Sequence, residues 1–211
     1  MTDATSGARR YGGREANERQ DERRARLVDA ALDLFGTQGY ASSSVKHVCE
    51  RAGLTQRYFY ESFTDREQLL RHVYDQQADL ARAAVSDAVA RVGEDMADRI
   101  RAGLAALIDA LTADPRRGRV VLIEIVGVSP ELETHRRGAM HEFVRYIAGL
   151  VPDEAGTLPA HRLETGVMVL VGGVTEVLVD HILGYRSTPA PELVEIIAAL
   201  FWGGYRALGK R

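Results

Sequence analysis

The chain has 211 residues, 45% of them apolar and 27% charged, and a formal net charge of −3 at neutral pH. Those values fit a soluble globular protein of one or two domains with ample core, and they exclude nucleic-acid binding through bulk charge. Residues 1–66 carry 11 Lys and Arg against 10 Asp and Glu, and residues 67–211 carry 16 against 20, so any DNA affinity must come from local placement of cations and dipoles. The lone cysteine, Cys49, rules out an internal disulfide and suits a reducing compartment. A cytoplasmic location is expected, because the N-terminus has no hydrophobic signal core. Val167 to Leu183 is the most apolar stretch, but Glu176, Asp180 and His181 interrupt it, which argues against a membrane span.

In chain order, residues 1–18 lack periodicity and read as a flexible arm. Arg9, Arg10 and Arg14 there, with Arg19 just beyond, are either a solvated tail or a contact to DNA backbone or minor groove. Leu27, Ala30, Ala31, Leu34 and Phe35 then form a helical stripe that Gly39 stops. A second helix follows, capped by Ser43 or Ser44, with Val45, Val48, Cys49 and Ala52 on one face and Gly53 at its end. Leu54 reads as the plug of a tight turn and Thr55 as the N-cap of a third helix. Phe59 and Phe63 face inward there, leaving Gln56, Arg57, Tyr58 and Tyr60 on the other sides. Asp65 with Gln68 three residues on forms a capping box for the next helix.

This pattern predicts an all-α protein: a three-helix helix-turn-helix domain over 19–65, then a helical bundle of about six helices over 66–211. Helices are expected from about Arg66 to Val92, Asp95 to Thr112, through Arg119 to Val128, Pro130 to Leu150, Ala160 to Leu183 and Pro191 to Leu208, with a loop over 151–159.

Gly39-Tyr40, Ser43-Ser44-Val45, Arg51-Ala52-Gly53-Leu54-Thr55, Phe59-Tyr60, Phe63, Glu67, Leu69 and Leu70 resemble the N-terminal DNA-binding signature of the tetracycline-repressor family, over about residues 22–72. The resemblance implies a homodimer, a double-stranded DNA operator and a C-terminal domain that senses a small molecule, most simply as a repressor released by its effector. It also implies that the last two helices pair with their copies in a second subunit, where Gly172-Gly173 permits close approach.

A helix-turn-helix presents the start of its second helix to base edges. That assigns Thr55, Gln56, Arg57 and Tyr58 to the groove, with Arg suited to guanine and Gln to adenine. Arg57 is equally able to reach a phosphate, and Tyr58 to pack on its own domain. By resemblance Lys46 reaches bases, Tyr60 binds phosphate and Arg66 meets the backbone, while Ser44 offers a hydroxyl beside a helix N-terminus. Ser62 departs from the family's frequent His.

Candidate effector contacts are Glu124, Met140, Phe143, Tyr146, Met168 and Glu176. Glu124 stands out as a carboxylate among apolar neighbours, either paired with Arg119 or Arg145 or awaiting a ligand. The Met and aromatic positions are equally ordinary core. No histidine has a glutamate three residues before it, and no zinc spacing, phosphate loop or nucleophile elbow occurs. No metal, cofactor, membrane partner or enzymatic activity is therefore expected. The rival reading is a helical protein-interaction module that does not read DNA sequence.

Overall fold

A computed structural model describes residues 6–151 and 159–208, with side chains from 17 to 207 inside those limits. Every described element is a helix: α1 Ser6–Gln38, α2 Val45–Ala52, α3 Gln56–Ser62, α4 Arg66–Arg91, α5 Met96–Thr112, α6 Pro115–Arg119, α7 Pro130–Gly149, α8 Ala160–Ile182 and α9 Ala190–Leu208, with a π-helical turn over Val120–Glu124. The chain divides into two compact units between Val73 and Tyr74. The division falls inside α4 rather than at 65, because Leu69, Leu70 and Val73 on its first turns are fully buried.

In the N-terminal unit α1, α2 and α3 pack around Leu27, Phe35, Val48, Phe59 and Phe63. Val45 and Leu54 stay half-buried. The first helix is not short. It spans 33 residues from Ser6, so most of the expected arm is helical; Ala, Arg, Glu and Gln favour helix without needing an apolar stripe. The first five residues, and the side chains of Arg9, Arg10 and Arg14, lie outside the described set. Gly39 ends α1 at φ 93° and Gly53 ends α2 at φ 64°, left-handed conformations that glycine adopts without strain. The Ser44 hydroxyl caps α2 by accepting from the His47 N–H at 3.2 Å. At α4, Asp65 accepts from Gln68 N–H at 2.7 Å, while the Gln68 carbonyl receives Thr64 N–H at 2.6 Å. The reciprocal arm of the capping box thus lands one residue early.

Three arginines close this unit. Arg24 donates to Ser62 O at 2.8 Å with its guanidinium over the Phe63 ring, and Arg26 donates to Ala52 O at 2.5 Å. Arg66 donates to Tyr40 O at 3.0 Å and to Ser43 O, and stacks on the Tyr40 ring at 4.0 Å.

The C-terminal unit buries Ile108, Leu111, Leu178, Leu193 and Ile197 among α5, α8 and α9. The helix expected to run through Arg119 to Val128 is broken. After α6 the chain winds through the π-helical turn, and Gly127 takes φ 72°. Two constraints explain the break. A Cβ at Gly118 would sit 2.4 Å from Leu111 O and 2.6 Å from the Ile182 side chain, so α6 is pressed against α5 and α8. Arg119 then reaches Glu124 at 2.8 Å, a span of five residues that matches the wider π repeat. By length and composition α8 could cross a bilayer, yet Val167, Val174 and Leu178 seat one face of it in the core.

Gly118→Ala should therefore lower stability by about 1–3 kcal/mol, read as an earlier urea midpoint; an unchanged midpoint would show that α6 is free to shift. Arg66→Ala should also destabilise the protein, by about 1–3 kcal/mol, because two carbonyls lose a charged donor. A melting curve identical to that of the unaltered protein would return Arg66 to the role of a surface cation.

Candidate nucleic-acid interface and effector cavity

Because Phe59 is fully buried, the opposite face of α3 turns to solvent. Thr55, Gln56 and Arg57 are exposed, and Tyr60 is 59% exposed. Thr55 occupies the N-cap position, but its side chain makes no capping bond. Arg57 extends outward, held loosely by Glu61 at 3.1 Å with its own side chain 85% exposed. Such a contact is worth a few tenths of a kcal/mol on an open helix face, roughly, and gives way readily to a stronger acceptor. Lys46 is exposed on the first turn of α2, 3.7 Å from Glu50. Ser44 keeps an O–H to donate while its oxygen caps the helix.

Two predicted contacts behave differently. Tyr58 is half-buried under the Arg23 guanidinium, 4.6 Å from its ring centre, so it packs within its own unit. Arg66 is folded inward onto carbonyls and the Tyr40 ring instead of extending from α4. Sequence reasoning missed Arg24 and Arg26 as structural donors. No pattern separates an arginine that caps a neighbouring helix from one that faces solvent.

In the C-terminal unit a cavity of about 190 Å³ opens between α4, α5, α7, α8 and α9, with Val121 and Leu122 of the π-helical turn in its wall. Its lining is largely hydrocarbon: Ala78, Val85 and Val89 from α4, Ile100 and Leu104 from α5, and Ile147 from α7 are representative. Of the six predicted effector contacts, Met140 and Phe143 line it. The other four do not. Glu124 is paired with Arg119 and its side chain is only 12% exposed, so it has a partner of its own. Tyr146 stacks on Phe143 with ring centres 6.5 Å apart, Met168 is half-buried away from the cavity wall, and Glu176 is exposed on α8.

The polar members of the lining are Tyr74, Arg82, Arg99, Arg136 and Thr175, and the sequence reading named none of them. Burial pushes the Tyr74 hydroxyl up to about 12, with Arg136 and Arg82 opposing the rise and Asp75 adding to it, so the phenol stays protonated and a donor. Arg136 donates to Glu133 at 2.7 Å and 3.0 Å. This bond holds the Glu133 carboxyl below its usual range and the guanidinium above its own. A signal did exist: Tyr74, Ala78, Ala81, Val85 and Val89 recur at helical spacing, with Arg82 set beside that stripe.

Residues 27–73 match the family model described as bacterial regulatory proteins, tetR family. The chain is 26% identical over 198 residues to the HTH-type transcriptional activator FasR of Mycolicibacterium smegmatis, covering 92% of this chain and 88% of that protein. In fold it is similar to the fatty acid degradation regulator FadR of Bacillus halodurans, with a TM-score of 0.75 and 16% identity over 87% of this chain and 96% of that one. It is likewise similar to FadR of Bacillus subtilis solved in complex with stearoyl-CoA, with a TM-score of 0.72 and 14% identity over 85% and 98%. A capped helix-turn-helix that presents a polar helix face agrees with these matches: residues 27–73 form a DNA-binding domain of the tetR family, and the chain is a DNA-binding transcriptional regulator.

Proposed function

We propose that this regulator binds its operator as a homodimer through α3 and is released when a long-chain acyl compound fills the C-terminal cavity. The observation that carries the effector class is the lining itself, an apolar slot with a few polar groups, which is the form of a site for an amphipathic small molecule. The stearoyl-CoA in the Bacillus subtilis structure supports the same class. A partner of duplex DNA places its work in the cytoplasm.

On the DNA side the interface consists of Ser44, Lys46, Thr55, Gln56, Arg57 and Tyr60. Arg57 reads a base edge, and Tyr60 and Ser44 hold phosphates. Tyr58 and Arg66 shape the unit from within.

Dimerisation through α8 and α9 rests on how their apolar residues divide. Val167, Val174, Leu178, Leu193 and Ile197 face the core, whereas Val169 is 69% exposed, Ile196 48% and Leu200 61%. The space where a Cβ would stand at Gly172, Gly173 and Gly203 is open. Apolar and small residues outside a completed core suit an isologous interface, which would set two recognition helices about one DNA turn (~34 Å) apart.

Fragments selected from genomic DNA would supply the operator. Hexadecanoyl-CoA should then dissociate the complex in a fluorescence anisotropy titration; tighter binding on addition would make the effector a co-activator of binding. Arg57→Ala should cost roughly 1–3 kcal/mol, confined to one operator position, and uniform weakening would demote Arg57 to a phosphate contact. Tyr60→Phe should weaken all operators alike. Leu200→Arg should yield monomers in analytical ultracentrifugation and lose operator affinity; a dimer that survives the change would place the interface elsewhere.

A further inference from the structure

We infer that the cavity has a built head-group corner, in which the Tyr74 hydroxyl and the Arg136 guanidinium receive the anionic or carbonyl end of a long-chain amphiphile while its chain lies along the slot. This rests on the effector reading above and adds the ligand's direction and the groups that read its polar end.

The slot is elongated. Its lining follows α4 from Tyr74 to Val89, 15 residues on, and at 1.5 Å per residue that is a run of about 22 Å. The two ends differ. At the far end α5 begins with Met96 and Arg99, one to two turns before Gly103, whose Cβ position lies 3.3 Å from Val89. At the near end His135 of α7 is hydrogen-bonded to Asp75 of α4, and the Tyr74 ring meets the His135 ring edge-on at 5.9 Å between centres. That pairing ties α4 to α7 and fixes the Tyr74 ring where it borders the cavity.

Three features make the near end a reader of oxygen. Tyr74 is only 5% exposed, and because its proton is held far above neutrality it offers an O–H donor at every physiological pH. Arg136 is held from behind: Nε and Nη2 both donate to Glu133, which leaves Nη1 outside that pair and fixes the guanidinium plane. A donor oriented in this way loses less freedom on binding a ligand than a flexible one does. A second guanidinium, that of Arg82, also lines the cavity, and Asp75 beside Tyr74 offsets part of the positive charge. Glu133 is shared by Arg136 and Arg137, the latter at 2.9 Å, so one carboxylate faces two guanidiniums. The partner of Arg82, Asp79 at 3.2 Å, is 70% exposed and screened by water. A ligand carboxylate or thioester carbonyl therefore meets oriented donors at one end, with a mostly hydrocarbon wall beyond them and the Arg99 guanidinium at the far end.

The test uses the purified full-length protein and three probes of equal chain length: hexadecanoate, hexadecanoyl-CoA and hexadecan-1-ol, titrated by calorimetry. The unaltered protein should prefer at least one of the two oxygen-rich heads over the alcohol by roughly 10- to 100-fold, the range of a hydrogen bond to a charged partner. Whichever of the two binds more tightly identifies the source of the head. Tyr74→Phe and Arg136→Gln should each erode that preference while alcohol affinity is kept, and the retained alcohol binding shows that the variants are folded. The inference is overturned if Arg99→Gln, at the opposite end, removes the preference instead, or if acid, thioester and alcohol bind alike. Either of those results leaves the acyl effector standing. Failure of all three probes to bind would remove the effector reading and this inference together.

Discussion

The carbonyls at the ends of α2 and α3 are the groups on which the DNA-facing unit depends. Helices of eight and seven residues do not sustain themselves in water, since nucleation costs more than so few bonds return. Each leaves its final carbonyls without a helical partner. Gly53 satisfies part of the α2 end by turning its N–H back on Cys49 and Glu50, and arginines from neighbouring elements take much of the remainder. Arg26 meets Ala52, Arg24 meets Ser62, and Arg66 meets Tyr40 and Ser43 in the α1–α2 connection. Two of the three also lie over an aromatic ring, which adds about 0.5–1 kcal/mol each at such half-open sites. A guanidinium suits the task because it brings several donors in a rigid fork. Helix ends tied in this way hold α3 at a fixed angle to α1, and a fixed angle is what a groove-reading helix needs.

That use of arginine explains where the sequence was readable and where it was not. The three-helix arrangement was legible because its signals are local: Ser44 as a cap, Gly39 and Gly53 as stops, and Phe59 and Phe63 four residues apart. The exposed edge of α3 followed from the same periodicity. The roles of individual arginines did not follow. Arg57 and Arg66 look alike in a sequence, yet one projects to solvent and the other folds onto a carbonyl of a segment more than twenty residues away. The N-terminal part of α1 escaped for a related reason, since a helical segment with no apolar stripe leaves no periodic trace.

In the C-terminal unit the helices were legible and the gap between them was not. Periodicity marks which face of a helix is apolar, but it does not say whether the facing helix fills the space. Met140 and Phe143 line the cavity, and Tyr146, one turn along, stands behind Phe143. Glu124 drew notice as a carboxylate among valines and isoleucines, and its reason proved to be backbone geometry. It closes the π-helical turn through Arg119, a turn that Gly118 permits by letting α6 approach α5 and α8 closely. Two of the polar side chains of the cavity, Tyr74 and Arg136, come from helices far apart in sequence, and only the fold brings them together.

The net charge and the proposed partner are reconciled by the same accounting of cations. Across α2, the turn and α3 the cationic side chains are Lys46, Arg51 and Arg57. Arg51 is turned back onto Asp33 of α1, with Nε 2.7 Å from the carboxylate. That leaves Lys46, 3.7 Å from Glu50, and Arg57, 3.1 Å from Glu61, as the cations that extend to solvent on this stretch, and each phosphate neutralised contributes about 0.9 to the salt slope of binding. Nonspecific attraction from the motif itself is therefore modest, and the acidic surplus of residues 67–211 does not add to it. In the interface proposed above, recognition leans on neutral donors: the hydroxyls of Ser44, Thr55 and Tyr60, the Gln56 amide, and the backbone N–H groups at the start of α2 and α3. Such groups discriminate by geometry rather than by charge, so in the proposed dimer affinity rests on two copies of α3 held in register.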